Sequence, residues 1–147
     1  FYTNYTSRKA GHMASNPSVS VLFPWYSLHR QIAVIGTVSK VSREESAEYF
    51  ATRPHGSQLG AYASNQSSPL PSREPLEAQM AELEAQFPEG TTVPLPDHWG
   101  GYLITVSEIE FWQGRRSRLH DRLRFEQTGT SADLGDPTAW RVQRYSP

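Results

Sequence analysis

The sequence predicts a mainly β fold with flanking helices. Three observations carry that reading. Two neighbouring segments, Ser18 to Tyr26 and Arg30 to Val41, are rich in β-branched and aromatic residues with strand-like alternation. The C-terminal segments Leu123 to Gln127 and Trp140 to Tyr145 repeat that character and read as a hairpin. Between them lie two helical signatures, a capping box at Ser42 and an acidic amphipathic run from Arg73 to Phe87. With 147 residues and 37% hydrophobic content, the chain fits a single domain, 1–147, with one modest core.

Taken in order, Phe1 to Tyr5 reads as a strand. It opens without Met, as if in the middle of an element, so an N-terminally incomplete chain is expected. Ser7 caps a short helix to about Ser15, ended by Asn16-Pro17. Val19, Val21 and Phe23 alternate with Ser20 and Leu22. After the polar connection Ser27-Leu28-His29, Arg30 to Val41 returns as the second arm of an antiparallel hairpin. Gly36 there marks a bulge or a close backbone approach.

Ser42-Arg43-Glu44-Glu45 starts a helix expected to run to Arg53, where Pro54 stops it. Ser57 is expected to cap a second short helix. Ser64 to Pro71 is a loop. In the acidic helix, Leu76, Met80, Leu83 and Phe87 share one stripe, read as core packing. Pro88 to Pro96 is a linker. Trp99-Gly100-Gly101-Tyr102 leads into a strand over Leu103 to Val106, and Glu108 to Gln113 forms another. Thr128 to Thr138 is a loose Gly/Asp/Ser connection.

Composition removes several classes of function. There is no cysteine, hence no thiol nucleophile, disulfide or Cys-based metal site. That is compatible with a reducing cytoplasm, the expected compartment. The formal net charge of -1 gives no global field for nucleic acid or an acidic membrane. The apolar run Val19 to Tyr26 is far shorter than the ~20 residues a spanning helix needs. The five histidines are scattered without metal-ligand spacing. No Gly-x-Gly-x-x-Gly, P-loop or Gly-x-Ser-x-Gly motif occurs. Redox chemistry here would have to come from an organic cofactor.

The most chemically loaded stretch is Glu110-Phe111-Trp112-Gln113-Gly114-Arg115-Arg116-Ser117-Arg118-Leu119-His120-Asp121-Arg122. Arginines offer planar donors suited to phosphates and carboxylates, Trp112 a flat face, and His120 a proton near neutral pH. These residue types fit a site for an anionic aromatic small molecule, and equally an edge strand, a turn at Gly114 and a solvated basic loop. Ser7-Arg8-Lys9 is either a phosphate clamp at a helix start or a solvated helix start. Tyr49, Arg53 and Ser57 could converge on one phosphate, or be a helix aromatic, a surface charge and a cap. Gln66 could meet a flavin edge, or be an ordinary loop residue.

Phe111-Trp112-Gln113-Gly114 followed by Arg118-Leu119-His120-Asp121-Arg122 resembles the C-terminal signature of the pyridoxamine 5'-phosphate oxidase family. The resemblance runs along nearly the whole chain. It takes in Phe1-Tyr2-Thr3-Asn4, Ser7-Arg8-Lys9, Phe23-Pro24-Trp25 with Arg30-Gln31, and Val41 to Glu45. It continues through Tyr49, Arg53-Pro54, Ser57 to Ala61, Ser64 with Gln66-Ser67, and Trp99 to Tyr102. It implies an FMN-binding split β-barrel, Greek-key-like and antiparallel, working as a homodimer with FMN at the interface. Tyr2, Thr3, Ser7, Arg8, Lys9, Gln31, Gln66, Trp112 and Arg122 match FMN contacts. Tyr49, Arg53 and Ser57 match the substrate-phosphate grip, and Arg118 and His120 the residues at the substrate ring, where catalysis is assigned.

The implied activity is oxidation of pyridoxamine 5'-phosphate and pyridoxine 5'-phosphate to pyridoxal 5'-phosphate. Hydride would pass from C4' of the substrate to flavin N5, and O2 would reoxidise the flavin to give H2O2. Neither nucleic acid nor membrane is an expected partner. Two other readings stand beside it: a non-catalytic flavin or pyridoxal-phosphate binding module, and a split-barrel flavin reductase acting on another substrate. The departure from the family lies at the N-terminus, where an Arg-to-Lys segment before Phe-Tyr-Thr has no match. Tyr62 stands where Trp is common, and His55 where a basic residue is usual.

Overall fold

The computed structural model describes residues 1–129 and 133–147. Six strands and four α-helices are found among them: β1 (Tyr2–Asn4), α1 (Arg8–Ser15), β2 (Ser18–Trp25), β3 (Arg30–Lys40), α2 (Arg43–Ala51), α3 (His55–Ala63), α4 (Glu74–Gln86), β4 (Trp99–Gln113), β5 (Asp121–Gln127) and β6 (Trp140–Arg144). Strand order is β2-β3-β4-β5-β6, with β1 pairing to β4. The chain divides into two compact units, Phe1–Ser15 with Lys40–Leu103, and Asn16–Ser39 with Ile104–Pro147.

The first unit holds the helices. β1 pairs antiparallel with the start of β4, Tyr2 opposite Gly101 and Asn4 opposite Trp99. A Cβ on Gly100 would overlap the Tyr5 hydroxyl, and one on Gly101 would crowd Val41 and the Tyr2 ring. The Gly-Gly pair is therefore a close approach of backbone to aromatic side chains. The core gathers Phe50, Leu59, Ala61, Val93 and Trp99, with Met80, Leu83 and Phe87 of the α4 stripe packed against it. Three of the four stripe residues are core packing, as the spacing predicts, while Leu76 lies outside the cluster. Val93, inside the expected linker, is buried in the same cluster.

Local chemistry sets the helix ends. The Ser7 hydroxyl accepts from the Ala10 amide at 3.3 Å and begins α1. The Ser42 hydroxyl accepts from the Glu45 amide at 3.0 Å and begins α2. Glu44 beside it is held below its ordinary pKa by its own backbone amide and by Ser42. α2 stops at Ala51, two residues before the expected end, so Arg53 lies beyond the helix. Pro54 has no N–H to give the Phe50 carbonyl, and the buried Gln58 amide satisfies the carbonyls of Phe50, Ala51 and Arg53 left open there. α3 begins at His55 with Pro54 at its N-cap, so Ser57 sits in the first turn and is not the cap.

The second unit is made of strands. β2 and β3 form the expected antiparallel hairpin, from Ser18 opposite Thr37 to Trp25 opposite Arg30. Its connection is a 3₁₀ turn, Tyr26–Leu28, closed by His29 in the left-handed region. A Cβ on Gly36 would overlap the Thr105 carbonyl oxygen, so Gly36 is a point of backbone contact. The two strands expected on either side of Ser107 are one continuous strand, β4. Ser107 does not break it, because its hydroxyl donates to the Ile35 carbonyl at 3.2 Å. β5 and β6 pair as the expected terminal hairpin. The connection expected over Thr128 to Thr138 lies partly outside the described residues, and a 3₁₀ turn, Pro137–Ala139, ends it.

Candidate functional site

In the first unit, a cavity of about 290 Å³ is lined by Asn4, Arg53, Ser57, Ser64, Gln66 and Trp99, among others. Arg53 is its chemical centre. The guanidinium carbon lies 4.7 Å from the Trp99 ring centre and 5.7 Å from that of Phe50. No carboxylate pairs with it among the described residues, and its Nη1 is buried without a hydrogen-bond partner. A buried cationic donor left unpaired costs free energy, which an anion supplying acceptors would recover. Ser57 lies in the first turn of α3, and the α3 N-cap offers no side-chain acceptor to that turn's amides. The Ser57 amide donates to the Pro54 carbonyl at 2.8 Å, and the His55 and Gly56 amides ahead of it favour an anion as well.

Tyr49, the third expected member of the phosphate grip, does not line this cavity. Its ring stacks on Tyr2 at 3.8 Å and lies parallel to Trp99 at 6.3 Å. Tyr2 also stacks with Trp99 at 5.5 Å, and burial, then Glu45, pushes its hydroxyl pKa up. Thr3, Lys9 and Gln66 form one set. The Thr3 hydroxyl donates to Gln66 Oε1 at 2.7 Å, and Lys9 Nζ donates to both, at 3.0 and 3.1 Å. The Gln66 amide nitrogen has no partner among the described residues. Ser7 is buried beneath α1, while Arg8 is exposed, with no acid in the first turn of that helix.

In the second unit, a cavity of about 540 Å³ is lined by residues including Trp25, Gln31, Trp112, Arg115 and Asp121. His120 stands 4.7 Å from the Trp112 ring centre to centre, and its Nδ1 accepts from the Arg115 amide at 3.1 Å. Neutral His120 therefore carries its proton on Nε2. Arg118 has a left-handed backbone, φ 60°, next to Ser117 at φ 57°. Its guanidinium has no hydrogen bond or ion pair among the described residues. Asp121 takes Arg115 at 2.7 Å and Arg144 at 2.6 Å, and these arginines, Arg115 first, hold its pKa down.

Arg122 is already engaged. Its Nε and Nη2 donate to the two Glu110 oxygens at 2.9 and 2.8 Å, and its Nη1 donates to the Ser146 carbonyl at 3.1 Å. Arg124 also reaches Glu110, at 2.9 Å, and Glu108, at 3.1 Å. The Arg122 hydrogen bond, opposed by burial and helped by Arg124, lowers the Glu110 pKa.

The expected residues thus gather in two sets. Arg53, Ser57 and Gln66 share the first cavity, near Thr3 and Lys9, and Gln31 and Trp112 share the second, near His120. Sequence reasoning missed Asn4, Gln58, Trp99 and Glu110 as parts of these surroundings. Trp99-Gly100-Gly101 was the available signal for one of them. Among the described residues, no cluster of His, Asp or Glu could hold a metal ion, and no helix is long and apolar enough to cross a membrane.

Comparison with known proteins identifies the family. Residues 1–87 match the family described as pyridoxamine 5'-phosphate oxidase, and residues 99–147 match the pyridoxine 5'-phosphate oxidase C-terminal dimerisation region. A pyridoxine/pyridoxamine 5'-phosphate oxidase of Frankia alni is 53% identical over 146 residues, 99% of this chain and 58% of the relative. One from Streptomyces avermitilis is 52% identical over 148 residues, 100% of this chain and 62% of the relative. The chain therefore spans about three-fifths of the length of these relatives. Among solved structures, PhzG from Burkholderia lata 383, in complex with tetrahydrophenazine-1-carboxylic acid, aligns with a TM-score of 0.85 at 31% identity. The alignment covers 100% of this chain and 67% of that one. A pyridoxamine 5'-phosphate oxidase-related, FMN binding protein from Nostoc punctiforme aligns with a TM-score of 0.71 at 13% identity, over 100% of this chain and 72% of that one. The second likeness is one of fold alone.

Proposed function

Because the chain belongs to the pyridoxamine 5'-phosphate oxidase family and carries its split β-barrel fold, we propose that the protein uses FMN to oxidise pyridoxine 5'-phosphate and pyridoxamine 5'-phosphate to pyridoxal 5'-phosphate. The observation that carries the reading is the unpaired Arg53 guanidinium in a cavity with Ser57. A phosphate ester matches that donor set in charge and size. The reading extends to a cytoplasmic homodimer with FMN at its interface.

The chain's donors fit FMN in kind: an exposed cation at Arg8, an ammonium at Lys9 held by Thr3 and Gln66 with no acid paired to it among the described residues, an unpaired amide on Gln66, and a flat indole at Trp112. In the first unit Tyr2, Thr3, Ser7, Arg8, Lys9 and Gln66 would hold it, and in the second Gln31, Trp112 and Arg122. Bound FMN would supply the chemistry, a hydride acceptor at N5 for the substrate C4' that O2 would reoxidise with release of H2O2. The remaining work belongs to side chains. Arg53 and Ser57 hold the phosphate and fix the substrate's position. Arg118 covers the pyridine ring. His120, with Nδ1 occupied by the Arg115 amide, offers Nε2–H to the substrate and takes part in proton movement at that atom.

A second reading is supported by the PhzG likeness: a flavin enzyme of this fold acting on another, carboxylate-bearing substrate. One experiment separates the two. The full-length, FMN-loaded protein is mixed anaerobically with pyridoxine 5'-phosphate while flavin absorbance is followed. Bleaching, then recovery with H2O2 on admitting air, is expected. Flavin that binds but never bleaches with either phosphorylated vitamer overturns the oxidase reading.

A further inference from the structure

Arg53 is an unusual phosphate ligand in one respect: among the described residues nothing acidic steadies it. A free arginine side chain samples many rotamers, and ordering it on binding costs affinity. Here it is ordered in advance by two residues outside the expected site. Trp99, only 6% exposed, presents its ring face to the guanidinium at 4.7 Å. The indole is itself fixed, stacked with Tyr2 at 5.5 Å and edge-on to Phe50 at 5.2 Å. A cation–π contact orients the guanidinium without neutralising its charge or using its N–H donors. A carboxylate in that place would do both.

The backbone of Arg53 is held by a different residue. Gln58 of α3 is buried, and its Nε2 donates to the Arg53 carbonyl at 3.0 Å, as well as to Phe50 and Ala51. The same amide ties the end of α2 to the backbone of Arg53. Gln58 also follows Ser57 directly, so one helical turn sets two of the three expected phosphate ligands, Arg53 and Ser57.

We propose that Trp99 and Gln58 are positioning residues for phosphate recognition, holding Arg53 by its side chain and its backbone so that an ordered, unneutralised guanidinium meets a phosphate monoester. This rests on the reading of the Arg53 cavity as the substrate-phosphate site.

The test uses the full-length, FMN-loaded protein and inorganic phosphate as the probe, measured by titration calorimetry. KM and kcat for pyridoxine 5'-phosphate are followed in parallel. Variants are Trp99→Leu, Trp99→Phe, Gln58→Met and, as the reference, Arg53→Leu. Each is first checked for native circular dichroism and flavin content. Trp99→Leu and Gln58→Met are expected to weaken phosphate binding about tenfold and to raise KM in proportion, with kcat little changed. Trp99→Phe, which keeps an aromatic face, should recover most of the loss. A merely structural role would not produce that split. If Arg53→Leu weakens phosphate binding but folded Trp99→Leu and Gln58→Met bind as the parent does, the positioning roles are refuted while the cavity assignment stands. If Arg53→Leu itself binds phosphate like the parent, the cavity assignment fails and the positioning roles fail with it.

Discussion

Glu110 accepts from both Arg122 and Arg124, and its side chain is only 13% exposed. The register of the sheet brings them together: Glu110 sits opposite Arg124, with Arg122 the diagonal neighbour. Arg122 could be named from the sequence as a flavin contact, but its carboxylate partner could not, because that pairing exists only once β4 and β5 are aligned. The same limit applies to Arg53. Its residue type was legible, whereas the indole face over which it lies comes from 46 positions further along the chain. Glu110→Gln should cost about 2 kcal/mol of stability at pH 7, since it removes charge from hydrogen bonds made by two arginines. The pH dependence has a fixed sign. The folded-state pKa of Glu110 is lowered, so its contribution is fully present above the ordinary carboxylate range and is lost as pH falls through the lowered value. Thermal melts from pH 7 down into the acid range should show the gap between parent and Glu110→Gln closing. A gap that stays constant would mean that the carboxylate's charge contributes nothing.

Among the elements, those with a strong local code were readable: the β2–β3 hairpin from its alternation, α2 from its capping box, and the α4 stripe from its period. The errors have non-local causes. α2 ends ahead of Pro54, which has no N–H for the Phe50 carbonyl, and Gln58 from the next helix fills that place. β4 continues through Ser107 because the hydroxyl there finds the Ile35 carbonyl. Two glycines make the contrast measurable. Gly36 of β3 leaves no room for a Cβ against the Thr105 carbonyl, and backbone cannot give way as a flexible side chain does. Gly11 of α1 has nothing within 4 Å of the same position. Gly36→Ala should therefore destabilise by about 3 kcal/mol through overpacking. Gly11→Ala should stabilise by roughly 0.5–1 kcal/mol through helix propensity. Urea denaturation of both variants checks the pair, and equal effects would contradict the assignment of Gly36 as a backbone contact.

For the whole molecule, the question is what covers the second unit's apolar side chains. Both faces of the β2–β3 hairpin expose them, Leu22 and Ile35 on one and Phe23 and Trp25 on the other. Val142 of β6 is 51% exposed as well. Apolar surface of this kind on a hairpin marks an interface. A second copy of the chain is the cover we expect, because residues 99–147 match a dimerisation region and the net charge of -1 opposes self-association only weakly. A carboxylate placed at such a position must lose its hydration when the interface closes, at a cost of several kcal/mol that no partner repays. Val142→Asp and Leu22→Asp should accordingly shift the full-length protein from dimer towards monomer in sedimentation velocity at micromolar concentration, with circular dichroism unchanged. FMN bound at the interface would be released in step with dissociation, so flavin retained after gel filtration should fall with the dimer fraction. Dimer and flavin content both unchanged in the two variants would remove these residues from the interface. Monomerisation with full flavin retention would separate FMN binding from dimerisation and put the cofactor within a single subunit.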